Sequence, residues 1–311
     1  MHLRVSVIIP CYRDSATLSR ALDSIYAQTR SVDEVIVVND ASPETFQIEA
    51  ILAIYPNARY LVNQCNLGLA ASRNAGVVVS TGEIVCFLDA DDEWHPQKIE
   101  IQLSLYRPDR ALSCSVVRIG DVRGIDHVVT YVGDPKCSVF RSSSKLIRSN
   151  VLTGASLMIS KELFMEHGGY DENLRSCEDF DLWLRLLDSG IHVFNINLPL
   201  YLYRVNSFGL SRNFQSISCW ELIVVQKYLA GCRQRGKPLP EEALIYFIWI
   251  FRHYVRYEQC SEPLLLKATN RNLALLDPWP MIRLLLVVSR RLGLPKLVGW
   301  FRSESPRVSY R

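Results

Sequence analysis

Residues 5–10 read VSVIIP, a short, continuous run of apolar and mostly β-branched residues. A run without a polar face suits a strand covered on both sides, as in a parallel sheet. The pattern returns at residues 35–38 (VIVV) and 84–88 (IVCFL). Helix-like stretches separate these runs. Asp14 and Ser15 offer capping chemistry ahead of Leu18, Leu22 and Ile25, which keep helical spacing. Residues 70–79 form another candidate helix, and Pro96 stands where a third would begin, followed by Ile99, Leu103 and Tyr106. The βαβα rhythm predicts an α/β fold with a mainly parallel sheet flanked by helices.

Ligands of such open sheets bind beyond the carboxyl ends of the strands. Cys11, Tyr12 and Asp14 follow the first run, Asn39 and Asp40 the second, and Asp89, Asp91 and Asp92 the third. The last group is the strongest local signal. Three carboxylates within four residues repel one another, and a cation would relieve that repulsion. Hard oxygen donors of this kind suit Mg²⁺ or Mn²⁺, which keep several waters and take only one or two protein carboxylates beside substrate phosphates. A solvated acidic turn ahead of the Pro96 helix is the other reading, with Asp92 as a cap or supporting partner. Asp40 reads either as an acceptor for a base or ribose edge or as a turn residue. Arg73, in the small-residue stretch 66–76 (NLGLAASRNAG), could reach a diphosphate with its fork of donors, or could lie on the surface.

A second cluster spans residues 177–187 (CEDFDLWLRLL). Phe180, Trp183, Leu184 and Leu187 fall on one helical stripe, which places Glu178 and Asp179 in the first turn, where the helix dipole favours acids. One of these carboxylates could act as general base on an acceptor hydroxyl. Trp183 reads either as core or as a platform for a sugar ring.

Taken in order, VSVIIPCYRD, VIVVNDAS, NLGLAASRNAG, FLDADDEW, GASLMISKELFMEHGGYDE and EDFDLWLRL resemble the inverting glycosyltransferases of family 2. The resemblance covers roughly the first two-thirds of the chain. It implies a GT-A fold, Rossmann-like in its sheet, over residues 1–215, with a helical region at 216–311. It also implies roles for particular residues. Pro10, Tyr12 and Asp14 would line a nucleoside pocket with Asp40 facing the base, and Arg73 would lie near the diphosphate. Asp89 and Ala90 would approach the ribose and sugar. Asp91, with Asp89, would hold Mn²⁺ or Mg²⁺. Gly154, Glu178 and Trp183 would belong to the acceptor region, and Asp179 would be the catalytic base. The donor would be a nucleotide diphosphate sugar, UDP-linked by family habit, and the acceptor a saccharide or lipid-linked hydroxyl in cell-surface polysaccharide or glycolipid assembly. One position departs from the pattern: Asn206 stands where many members carry a metal-binding histidine.

Other classes fit less well. A nucleotidyltransferase would want a glycine-rich basic loop after the first strand, where this chain has Cys11-Tyr12-Arg13-Asp14, and a nicotinamide-dependent enzyme is disfavoured because G-x-G-x-x-G is missing there. A catalytically silent nucleotide-sugar-binding scaffold stays open through Asn206. A net charge of +3 gives no argument for nucleic acid. Nine scattered cysteines without C-x-x-C spacing predict reduced, mostly buried thiols. The first ten residues read as a strand, so no secretory leader is expected. Beyond residue 215, helices are predicted at 220–229 and 243–257, separated by a linker at 231–240. Residues 243–257 and 281–291 mix apolar and cationic side chains. They predict either interfacial helices on the inner face of the membrane or a packed subdomain that could mediate a homo-oligomer.

Overall fold

The computed structural model describes residues 2–119, 130–148, 150–205 and 214–236. The chain divides into two units, Met1–Arg212 and Asn213–Arg311. In the first unit, β1 (Val5–Cys11), β2 (Glu34–Asn39), β3 (Ala58–Val62) and β4 (Ile84–Phe87) stand in the order β3-β2-β1-β4. All the pairings among these four are parallel. β1 is buried at every position, which is why its sequence is apolar without alternation. Helices α1 (Ser15–Tyr26), α2 (Thr45–Leu52) and α3 (Leu69–Val79) form the connections. α3 lies tight on the sheet because Gly76 has no side chain: a Cβ there would come within 2.5 Å of Ile8 Cγ2.

The sheet then changes character. The strands β5 (Glu93–Trp94), β6 (Arg110–Ile119), β7 (Cys137–Phe140), β8 (Met158–Ser160) and β9 (His192–Arg204) extend it in the order β4-β8-β6-β9-β5, with β7 also on β9. β8 runs antiparallel to β4 and β6, whereas β6 and β9 are parallel. The mainly parallel sheet read from the sequence is therefore completed by a mixed half. α4 (Lys98–Leu105), α5 (Ser143–Arg148), α6 (Lys161–Glu166) and α7 (Glu178–Asp188) accompany these strands, with a 3₁₀ turn at Gly154–Ser156.

Three local expectations are adjusted. α4 starts two residues after Pro96, whose carbonyl accepts from the Thr29 N–H at 2.9 Å. Asp14 precedes α1, but its carboxylate accepts from the Tyr12 N–H at 3.3 Å, while Glu44 accepts from the Ser15 N–H at 3.0 Å. In the second unit, α8 (Phe214–Gln234) runs through Gly231, the first residue of the expected linker. One glycine costs a helix only about 1 kcal/mol, and α8 ends just before Gly236 with its positive φ. Residues 237–311, including the other expected helices, lie outside the described residues. No helix among the described residues is long and apolar enough to cross a membrane. Cys11, Cys86, Cys114 and Cys232 are buried, as expected, but Cys65 is exposed.

Candidate active site

The ends of β1, β2 and β4 bring the expected residues to one edge of the sheet. Pro10 is buried near the end of β1, and Tyr12 just beyond the strand is exposed, with the Arg13 guanidinium 5.3 Å from its ring centre. Asp14 is half-buried. Burial, with the charges of Asp89 and Glu44, pushes its carboxyl up to about 6, although the Tyr12 N–H opposes this. Asp40 was expected to face a base, yet it is only 4% exposed. Its oxygens accept from Asn63 Nδ2 at 2.8 Å and from the Leu67 and Gly68 N–H groups at 2.9 and 2.8 Å. Asp40 therefore pins the loop that leads into α3. Gly68 follows that loop at φ +96°, a conformation that favours glycine.

Beyond β4 the three acids separate by environment. Asp89 and Asp91 are half-buried, Ala90 between them is buried, and Asp92 is 1% exposed. The Asp92 carboxylate accepts from the Tyr201 hydroxyl and from the Arg204 N–H, each at 2.7 Å. The Tyr201 oxygen in turn accepts from the Asp89 N–H at 3.3 Å. Burial and its acidic neighbours push Asp92 up to about 9. Its carboxylate supports the turn through Tyr201 and Arg204.

Arg73 lies on the buried face of α3, 2% exposed, so the surface reading fails. One terminal nitrogen donates to Asp89 Oδ1 at 2.5 Å and the other to Glu178 Oε1 at 2.7 Å. Its guanidinium also lies 5.5 Å from the Tyr170 ring centre. A phosphate contact by Arg73 would thus compete with Asp89.

On the other side, α7 begins at Glu178, with Cys177 before it at φ +61°. Asp179 is half-buried; its Oδ2 accepts from the Gly154 N–H at 2.8 Å and its Oδ1 from the Phe180 N–H at 2.6 Å. Burial raises the Asp179 carboxyl above its ordinary range, opposed by the Gly154 N–H and by Arg73. Gly154 is required here: a Cβ would stand 2.5 Å from the Asp179 Cβ. Glu178, expected to meet the acceptor, is instead buried and turned to Arg73. Trp183, the candidate sugar platform, is 0% exposed and belongs to the core. Sequence reasoning missed Tyr170, Tyr201 and Asn74, whose roles depend on partners about a hundred residues away.

Among the described residues no three His, Cys, Asp or Glu side chains are grouped to enclose a metal ion. The half-buried carboxylates Asp89 and Asp91 offer hard oxygens in small number, which fits Mg²⁺ or Mn²⁺ completed by phosphate and water. Asn206 lies outside the described residues. His167 bonds the Leu163 carbonyl at 2.9 Å, and His192 opens β9.

Residues 6–168 match the family described as Glycosyl transferase family 2, and the chain belongs to that family. An uncharacterized glycosyltransferase of Haemophilus influenzae is 32% identical over 198 residues, covering 63% of this chain and 66% of that protein. The amylovoran biosynthesis glycosyltransferase AmsB of Erwinia amylovora is 36% identical over 107 residues, covering 32% of this chain and 35% of AmsB. The chain thus spans less than two-thirds of the length of these relatives. The structure of S. aureus TarS 1-349 in complex with UDP-GlcNAc overlaps with a TM-score of 0.60 at 17% identity, covering 84% of this chain and 77% of TarS 1-349. The fold is the GT-A fold shared with it.

Proposed function

We propose that this chain transfers a sugar, with inversion, from a nucleotide diphosphate sugar to an acceptor hydroxyl. The observation that carries this reading is Asp179, a half-buried carboxylate held by the Gly154 N–H and linked through Glu178 and Arg73 to Asp89. Asp179 would take the proton of the attacking hydroxyl, its raised pKa making it a better base. Pro10, Tyr12 and Asp14 would line the nucleoside pocket beside the loop pinned by Asp40. Asp91, with Asp89, would hold Mn²⁺ or Mg²⁺, which supplies positive charge against the leaving diphosphate.

A UDP-sugar donor is supported by TarS, whose structure contains UDP-GlcNAc. AmsB, named for amylovoran biosynthesis, supports a saccharide or lipid-linked acceptor in surface-polysaccharide or glycolipid assembly. The reaction would run on the cytoplasmic side, with the region beyond residue 215 resting on the inner membrane face or joining a homo-oligomer.

A melting panel of UDP, GDP, dTDP and CDP with Mn²⁺, Mg²⁺ or chelator tests the donor site. One diphosphate should raise the melting temperature, and only with metal. Asp179→Asn should then lower transfer by about 10²–10⁴-fold while nucleotide binding survives. Binding without any transfer by the unaltered chain would make it a nucleotide-sugar-binding scaffold.

A further inference from the structure

The pairing of Arg73 with Glu178 takes part in no bond-making or proton transfer above, although it joins two charges 105 residues apart in the interior. The side chains are only 3% and 7% exposed. Burying a carboxylate beside a second one is costly unless a cation meets it, so Glu178 depends on Arg73 for its place. Arg73 is itself tightly constrained. Its terminal nitrogens are given to Asp89 and Glu178, and its Nε has no hydrogen-bond partner.

The neighbouring residue of α3 grips the same region. Asn74 donates to the Tyr170 carbonyl at 2.8 Å and accepts from the Tyr170 N–H at 3.0 Å. The Tyr170 ring lies against Arg73, and its hydroxyl reaches the Gly154 carbonyl at 3.5 Å. The Gly154 N–H in turn holds Asp179. Two adjacent residues of α3 thus touch Glu178 and Tyr170, the supports on either side of Asp179.

We propose that Glu178 is a positioning residue, not an acceptor contact: its bond to Arg73 sets the first turn of α7 so that Asp179 faces the donor held at Asp89. This rests on the glycosyl-transfer reading and assigns Glu178 a duty of geometry. What matters is the reach of its carbonyl oxygen to Arg73, not its negative charge.

Three variants separate reach from charge. Glu178→Gln keeps the length and an accepting oxygen but removes the charge. Glu178→Asp keeps the charge but falls one methylene short of Arg73. Glu178→Ala removes both. The full chain is assayed for UDP release from UDP-GlcNAc with Mn²⁺ and water as acceptor, and UDP binding with Mn²⁺ is measured by calorimetry. Glu178→Gln should stay within about tenfold of the parent turnover, since a neutral acceptor still makes the hydrogen bond. Glu178→Asp should lose more than Glu178→Gln, and Glu178→Ala about 100-fold, the scale of a displaced catalytic group. UDP affinity should hold in all three.

The reverse order, with Glu178→Asp more active than Glu178→Gln, would overturn the proposal by making the charge the active property. Parent-level turnover in Glu178→Ala would also overturn it, as would a loss of UDP affinity that tracks the loss of turnover. If Glu178→Ala does not fold, the order of Gln and Asp decides alone. A parent chain that neither binds UDP nor cleaves UDP-GlcNAc, tested also with the other diphosphates, counts against the transfer reading itself.

Discussion

On the proposed donor side, Asp40 and Asp89 stand within two residues of the strands that carry them. On the proposed acceptor side, the Gly154 N–H holds Asp179, the Tyr170 hydroxyl reaches the Gly154 carbonyl, and Arg73 holds the neighbouring Glu178. The first arrangement comes almost free with a parallel sheet, because buried strands in fixed register deliver their ends to one edge. The second must be assembled from distant pieces, and it uses close backbone approach and a buried ion pair to do so. The donor half should therefore tolerate changes in single partners better than the acceptor half, whose parts hold one another.

Gly154→Ala attacks the acceptor side alone. The added methyl would meet the Asp179 Cβ at 2.5 Å, so one of the two must move. Turnover should fall about 100-fold with UDP affinity unchanged, read from donor cleavage and calorimetry on one preparation. A parallel loss of UDP binding would show that the two sides cannot be separated. Gly76→Ala attacks the donor side through its packing. A methyl 2.5 Å from Ile8 Cγ2 overfills the layer between α3 and β1 and should lower stability by about 1–3 kcal/mol, visible as an earlier urea midpoint. Turnover of the folded fraction should change much less than in Gly154→Ala.

The smallest effect concerns Asp14. Burial lifts its pKa from 3.8 to about 6 in the folded chain. Between those values the folded chain keeps a proton that the unfolded chain has released. Its contribution to stability is thus full below the unfolded pKa and lost as pH rises through the folded one. Asp14→Asn removes this titration, so its stability relative to the parent should be greater at about pH 7 than at about pH 5 in paired urea melts. An equal difference at both pH values would mean that Asp14 is open to solvent.

The same contrast governs what could be read from the sequence. β1, β2 and β4 were legible because strands buried on both faces carry unbroken apolar runs, and their polar ends followed. α7 was legible from its stripe, and so was its acidic first turn. Periodicity gives a face, however, and not the partner across from it. Nothing near Arg73 announces Glu178, and the three residues of β8 are too few to leave a pattern. Trp183 shows the limit in one residue: the stripe placed it correctly on the helix, while its burial depended on elements elsewhere in the chain.

The pairing of β5 with β9 also sets a schedule. Glu93 and Trp94 find their strand partners only at Leu202 and Tyr201, and Asp92 is met by Tyr201 and Arg204. A ribosome adding about 5–20 residues per second reaches those partners roughly 5–20 s after it has made the acidic turn. Through that interval the nascent chain carries three neighbouring carboxylates and a two-residue strand whose partner in the sheet has not yet been made. The parallel half of the sheet can be assembled early, but the acidic turn is among the last parts of the first unit to mature.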